Sequence, residues 1–175
     1  MKEVIMAGFG GQGILSMGKF IAMSGLEEGA NVSWLPSYGP EMRGGTANCN
    51  VIVAEEVIGS PIIASADAII VMNQPSLEKF EGALKPGGVA IIDSSLVPVM
   101  PTRKDIEVYA IPATTKAYEL GNKTFAGIIL LGKLIKTTGI VKRESFEQAL
   151  YKILPPKKHG MIPDEMNALD FGANY

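Results

Sequence analysis

The run Gly8-Phe9-Gly10-Gly11-Gln12-Gly13 constrains this chain more than any other feature. It follows a short apolar segment, Val4 to Ala7. It precedes a stretch in which Ile14, Met17, Gly18, Ile21 and Gly25 fall on one face at helical spacing. The first segment suits a strand buried on both faces. Glycines between a strand and a helix permit a tight turn and let the backbone approach a neighbour or a ligand. A chain that opens strand, glycine turn, helix is directed toward an α/β sheet. The free N–H groups and partial positive charge at the start of that helix suit a phosphate.

The remaining pattern extends the same architecture. Gly29 stops the first helix, and Asn31 to Leu35 reads as a second strand. Pro36 to Gly45 reads as a loop and Asn48 to Ala54 as a third strand. Ala68 to Met72, Val89 to Ile92 and Val108 to Ile111 are three further apolar strands. A helix is expected from Pro75, with Leu77, Phe80 and Leu84 on one face, ending at Pro86-Gly87-Gly88. Phe125, Ile128, Ile129, Leu131 and Leu134 form one helical stripe; Phe146, Ala149, Leu150 and Ile153 form another. Pro155-Pro156-Lys157-Lys158 marks a break, and Pro163 to Leu169 suits a last helix. The expected fold is α/β and Rossmann-like: a mostly parallel sheet with helices on both faces, in a single domain with a short helical C-terminal tail. The domain should span 1–154. The tail, 155–175, should pack on the domain or on a partner.

A glycine turn of the GxGxxG form first suggests NAD or FAD. Such sites use an acid about 20 residues on, at the end of the second strand, to hold a ribose. Here that region reads Val32-Ser33-Trp34-Leu35-Pro36, with no acid, and Glu27 and Glu28 fall on the preceding helix. A plain packing turn and another phosphate ligand are the competing readings. Gln12 carries an amide that can pair with a partner or a ligand. The second motif, Pro36-Ser37-Tyr38-Gly39-Pro40-Glu41-Met42-Arg43-Gly44-Gly45-Thr46, follows the second strand. It should therefore reach the carboxyl end of the sheet, where open α/β folds bind ligands. Arg43 could fork onto a phosphate or carboxylate, Glu41 could pair with Arg43 or a neighbouring chain, and Tyr38 offers a ring and a hydroxyl. A solvated loop with a local Glu–Arg pair is the plainer alternative.

Composition narrows the chemistry. The chain has 175 residues, 16 basic and 18 acidic side chains, and a net charge of −2, so no broad footprint for nucleic acid is expected. An iron–sulfur cluster needs about four cysteines, and Cys49 is alone. No HExxH or CxxC pattern points to a metal site, and no GxSxG elbow accompanies His159, the single histidine. A solvated His159 is expected. No apolar run approaches the roughly 20 residues of a membrane span, and no signal peptide is visible. A reducing, cytoplasmic setting fits the cysteine usage.

Taken together, the glycine turn and Ser37-Tyr38-Gly39-Pro40-Glu41-Met42-Arg43-Gly44-Gly45 resemble the gamma subunit of 2-oxoacid:ferredoxin oxidoreductases, in the 2-oxoglutarate or branched-chain form. Lys85-Pro86-Gly87-Gly88, Pro112-Ala113-Thr114, Leu120-Gly121-Asn122 and the tail Asn167-Ala168-Leu169 with Gly172 extend the resemblance along the chain. One departure lies near Gly127, where many relatives carry an asparagine. The resemblance implies a complex that converts a 2-oxoacid, coenzyme A and oxidised ferredoxin to acyl-CoA, CO2 and reduced ferredoxin. This chain would be a partner subunit, inactive alone and without catalytic or metal-binding residues of its own. Alpha, beta and a ferredoxin-like delta subunit would carry thiamine diphosphate, magnesium and iron–sulfur clusters. Coenzyme A would be enclosed at the interface by Gly8, Gly10, Gly11, Gln12, Gly13, Ser37, Tyr38, Glu41, Arg43 and Gly44. The isolated chain could form a homodimer. A free-standing NAD(P)- or nucleotide-binding oxidoreductase, or a regulatory or assembly module on the same fold, stands as the alternative.

Overall fold

A computed structural model describes residues 1–38 and 45–175. Six strands form one sheet: β1 (Lys2–Phe9), β2 (Asn31–Tyr38), β3 (Thr46–Ala54), β4 (Ala66–Val71), β5 (Leu84–Asp93) and β6 (Glu107–Ile111). Their spatial order is β2-β3-β1-β4-β5-β6. The pairs β1–β4, β4–β5 and β5–β6 are parallel, whereas β3 runs antiparallel to both of its neighbours. Five strands thus point one way, and the sheet is mostly parallel as expected.

The central strands are apolar throughout because both faces are covered. Val4, Met6, Ile70 and Ile91 face one core, while Ile5, Ile69, Ala90 and Ile92 face the other. The first face is thick. Helices α1 (Ile14–Glu27) and α4 (Phe125–Thr138) lie directly on the sheet. Helices α5 (Arg143–Ile153) and α6 (Ile162–Asn174) pack outside them, α5 on α1 and α6 on α4. Every residue from Phe125 to Leu134 is buried, because α4 is sandwiched between the sheet and α6. Among the described residues the opposite face carries α2 (Gln74–Phe80) and loops that include Ile63 and Val97. A short helix, α3 (Ala113–Glu119), follows β6. Among the described residues, no helix is long and apolar enough to cross a membrane.

Three local expectations shift. Helix α2 ends at Phe80, and Pro86-Gly87-Gly88 lies inside β5 instead of terminating the helix. The register slips there: Ala66 pairs with Leu84 but Ala68 with Val89, so the proline and glycines form a bulge. Gly87 has φ 76°, a conformation that glycine adopts without strain, and its N–H donates to the Asp105 carbonyl. At the other edge β2 continues through Pro36 to Tyr38. A proline is tolerated there because β2 is an edge strand with one side unpaired. The last helix is also longer than expected, running from Ile162 to Asn174 behind a 3-10 turn over Pro156–Met161.

Helix α6 meets α4 backbone to backbone. A methyl group on Gly132 would overlap the Leu169 carbonyl, and one on Gly172 would overlap the Ile129 carbonyl. The two glycines let the helix axes approach more closely than any side chain allows.

Candidate functional site

The strand order reverses direction at β1 and β4: the chain leaves β1 toward β3 and β2 on one side and continues through β4, β5 and β6 on the other. Crevices at the carboxyl ends of strands flanking such a point are where α/β sheets hold ligands. The glycine turn sits there. Gly11 (φ 93°) and Gly13 (φ 80°) occupy left-handed conformations, and Gly13 leads directly into α1. Among the described residues no side chain caps the first turn of α1, and none accepts from the N–H groups of Ile14, Leu15 and Ser16.

Gln12 holds the turn shut. Its Oε1 accepts from the Phe9 N–H at 2.6 Å, and its Nε2 donates to the Met72 carbonyl at 3.1 Å, tying the turn to the end of β4. Buried Gly8 lies directly beneath this amide, and a methyl there would collide with Gln12 Oε1 and with Ile14. The amide read from sequence as available to a ligand is thus engaged twice by the fold's own backbone.

A groove of about 690 Å³ opens beside the turn. Gly11, Gln12, Gly13 and Ser16 form one wall. Thr114 and Tyr118 of α3 and Asn122 to Thr124 before α4 form another, and Lys158, Met161 and Glu165 close the far side. Buried Asp93, at the end of β5, fixes the α3 wall: its carboxylate accepts from the N–H and hydroxyl of Thr114 and from the Ser95 N–H. Gly127 lines the groove at the start of α4. A methyl there would come within 2.9 Å of the Met17 side chain, so Met17 fills the space that an asparagine would take.

Glu165 is the anomaly of the site. It is 6% exposed, and its Oε2 finds no hydrogen-bond partner among the described residues. Burial pushes its carboxyl above the ordinary range, and the charge of Lys158 offsets part of that rise. Sequence reasoning missed it, yet a signal was present. Ile162, Glu165, Met166 and Leu169 follow i, i+3, i+4, i+7 spacing, so an acid occupies the apolar stripe of α6.

The second sequence motif reaches the same place at both ends. The Gly10 N–H donates to the Gly45 carbonyl at 2.8 Å. Tyr38 and Gly45 line a smaller groove of about 360 Å³ with Gly10, Gly13 and Ser16. Ser37 pairs across from Asn48 in the sheet and lines neither groove. Glu41, Arg43 and Gly44 lie outside the described residues. His159 is not solvated: it is half-buried, with Nε2 2.8 Å from the Leu154 carbonyl and its ring edge-on to Tyr151. Cys49 is fully buried, with its thiol toward the Ile14 carbonyl, and burial pushes it up to about 12. It is a packed core residue, not a thiolate ligand. No three His, Cys, Asp or Glu side chains group as metal ligands among the described residues.

The sheet order also bears on the dinucleotide reading. In a Rossmann half, the strand beside β1 is parallel to it and brings its carboxyl end, with the ribose acid, next to the glycine turn. Here antiparallel β3 occupies that place, so its beginning, Thr46 and Ala47, lies beside Phe9 and Gly8.

This is the architecture of a mostly parallel α/β domain with a glycine turn at its switch point. The chain belongs to the pyruvate ferredoxin/flavodoxin oxidoreductase family, whose pattern it matches over residues 3–175. It is 36% identical over 175 residues to ketoisovalerate oxidoreductase subunit VorA of Methanothermobacter marburgensis, covering 99% of this chain but 36% of VorA. The chain therefore spans about a third of the length of that relative. It is 34% identical to 2-oxoglutarate synthase subunit KorC of Methanocaldococcus jannaschii, covering 99% of this chain and 92% of KorC. Its fold matches the keto/oxoacid ferredoxin oxidoreductase gamma subunit of Geobacter sulfurreducens, with a TM-score of 0.83 and 28% identity, over 99% of this chain and 97% of that one.

Proposed function

We propose that this chain is the gamma subunit of a 2-oxoacid:ferredoxin oxidoreductase, and that it helps to enclose coenzyme A and to assemble the complex. The complex would convert a 2-oxoacid, coenzyme A and oxidised ferredoxin to acyl-CoA, CO2 and reduced ferredoxin, in the cytoplasm. The observation that carries this reading is the end-to-end likeness to KorC, a relative of nearly the same length. Alpha and beta subunits, and a ferredoxin-like delta subunit, are the proposed partners. They would carry thiamine diphosphate with its magnesium and the iron–sulfur clusters. One buried cysteine cannot supply the ligands of a cluster here.

The geometry favours a phosphate-bearing substrate at the glycine turn. Three N–H groups with no cap among the described residues, and the partial positive charge of α1, suit the phosphates of coenzyme A. Gly8, Gly10, Gly11, Gln12 and Gly13 shape that turn, with Gln12 acting through the backbone it holds. Ser37 and Tyr38 precede the sequence segment that carries Glu41, Arg43 and Gly44, and Arg43 is proposed to clamp a phosphate. Antiparallel β3 and the missing ribose acid argue against a free-standing NAD enzyme.

Reconstitution tests the reading. The alpha–beta–delta assembly alone should reduce ferredoxin poorly, and adding this chain should restore turnover with saturable coenzyme A dependence. Full turnover and unchanged coenzyme A dependence without the chain would overturn it. Arg43→Ala should raise the KM for coenzyme A or weaken assembly by about tenfold, as loss of a charged phosphate contact does, with the melting temperature of the isolated chain nearly unchanged.

A further inference from the structure

The outer side of β2 is an open template, and one hydrogen bond tells which backbone groups it offers. The Gly10 N–H donates to the Gly45 carbonyl. Residues 10 and 45 continue the β1–β3 register, in which Gly8 pairs with Ala47 and Met6 with Cys49. Bonded positions alternate along an antiparallel ladder, so Ala47, Cys49 and Val51 turn their backbone toward β1. Asn48, Asn50 and Ile52 then turn toward β2, where they meet Ser37, Leu35 and Ser33. That leaves Val32, Trp34, Pro36 and Tyr38 with their backbone groups facing away from the sheet. Pro36 agrees, because it has no N–H to place in a ladder. Among the described residues nothing pairs with this side. β2 is eight residues long, and Trp34, Leu35 and Tyr38 on it are exposed. So is Leu26 of α1, next to the Gly25 that meets Val32. A long, apolar, open edge is where another strand adds. The opposite edge, β6, is a five-residue strand that starts on Glu107.

We propose that β2 pairs with β2 of a second copy of this chain, antiparallel and centred on Ser33, so that the two sheets run on as one. Two defects choose this register. Pro36 has no N–H, and the Ala30 N–H is already spent on the Gly25 carbonyl at 3.0 Å. With Ser33 on the two-fold axis, Pro36 falls opposite Ala30 of the other copy, so the positions that have no N–H to give face each other. Val32 and Trp34 fall opposite Trp34 and Val32 of the other copy, and every N–H and carbonyl of these residues finds a partner. The Trp34 ring then lies beside Val32, an aromatic–β-branched pair. Centring on Trp34 instead would set Pro36 against Val32 and leave the Val32 carbonyl without a donor. A contact of this isologous kind closes at two copies. It stands on the sheet and is independent of the subunit assignment.

Hydrogen exchange of the full chain, read amide by amide against concentration, tests the pairing without any variant. At about 100 µM, where a dimer of micromolar affinity is largely formed, the Val32 and Trp34 amides should exchange about fivefold or more slowly than at about 1 µM. The Tyr38 amide, on the same open edge but beyond the overlap, should exchange equally fast at both. Sedimentation should give twice the chain mass at the higher concentration. Ser33→Glu and Ser33→Lys each set like charges opposite one another on the axis. Each should raise the dissociation constant about fivefold or more. An equimolar mixture of the two variants should bring it back to within about twofold of the parent, which a folding defect would not do. A chain that stays monomeric at about 100 µM would overturn the proposal. So would a dimer whose Val32 and Trp34 amides exchange at the monomer rate, one that the Ser33 variants leave intact, or a mixture that restores nothing. Protection of these amides only when alpha and beta subunits are added would give the edge to a strand of another chain, and would overturn self-pairing as well. None of these outcomes touches coenzyme A dependence in the reconstituted complex, so the subunit reading stands or falls separately.

Discussion

Glu165 occupies a place on α6 that Ile162, Met166 and Leu169 fill with apolar side chains one turn away on either side. Its carboxyl is raised by burial, so in the folded chain it resists ionisation above the unfolded value of about 4.3. The sign follows from linkage. Below about pH 4 the acid is protonated whether folded or not, and burial costs nothing through ionisation. As pH rises through the folded value the proton must leave a desolvated site, and that penalty is fully present above it. Glu165→Gln should therefore stabilise the chain at pH 7.5, raising the melting temperature by about 2–4 °C. The gain should shrink toward pH 4 in thermal melts run across that range. An equal shift at both pH values would mean that ionisation of Glu165 is not what the fold resists. Asp93 shows the contrast: a fully buried acid with three donors around it is a fixed strut, and it sets the position of Thr114.

The helices owe their placement to a few close approaches. Gly18 lets α1 settle against Cys49 and Trp34, and Gly25 lets it settle against Val32 and Val53. The tightest approach is α4 against α6, where Gly132 and Gly172 each face the other helix's carbonyl oxygens. Glycine to alanine inside a helix ordinarily stabilises by about 0.5–1 kcal/mol. Here the sign should invert. Gly132→Ala or Gly172→Ala should cost about 1–3 kcal/mol or more in urea denaturation, because carbonyls that cannot bend must move apart. Gly160→Ala, where a methyl meets nothing, is the matched control and should stay within about 0.5 kcal/mol of the parent chain. Moving α6 also moves Glu165, so the two glycines are coupled to the groove wall.

The whole molecule is layered unevenly, and this decides what α6 is for. Ile162, Met166, Ala168 and Leu169 join the same core as the sheet residues Val4, Ile70 and Ile91 through α4. Residues 155–175, expected from sequence to be a tail packing on the domain or a partner, include α6, which covers one side of a helix buried from Phe125 to Leu134. A chain ending at Leu154 should lose its cooperative thermal transition and bind hydrophobic dyes, since the outer face of α4 would be left to water. A truncated chain that melts sharply near the full chain's temperature would show that α4 is covered some other way. Arg143 adds a surface link, pairing with Asp170 at 2.7 Å and holding that carboxyl below its usual range. Both groups are well exposed, so the pair orients α5 and α6 more than it stabilises them.

Much of this was legible in the residues themselves. The apolar runs at Val4, Ala68 and Val89 determined buried strands, because few alternatives exist for short runs of that kind between turn signals. The glycine turn placed a candidate ligand site at the end of the first strand, since strand, glycines and helix follow one another directly in the chain. The gamma-type resemblance could be read from motifs alone. Other features needed three dimensions. Strand order is not written locally, so only the tertiary structure placed antiparallel β3 where a dinucleotide fold puts its ribose acid. Gln12 is separated from Met72 by sixty positions, and nothing in the turn's own sequence tells which backbone its amide will hold. The role of Glu165 is also decided there. A carboxyl on an apolar stripe becomes meaningful only once packing has taken away its water and left an open groove beside it.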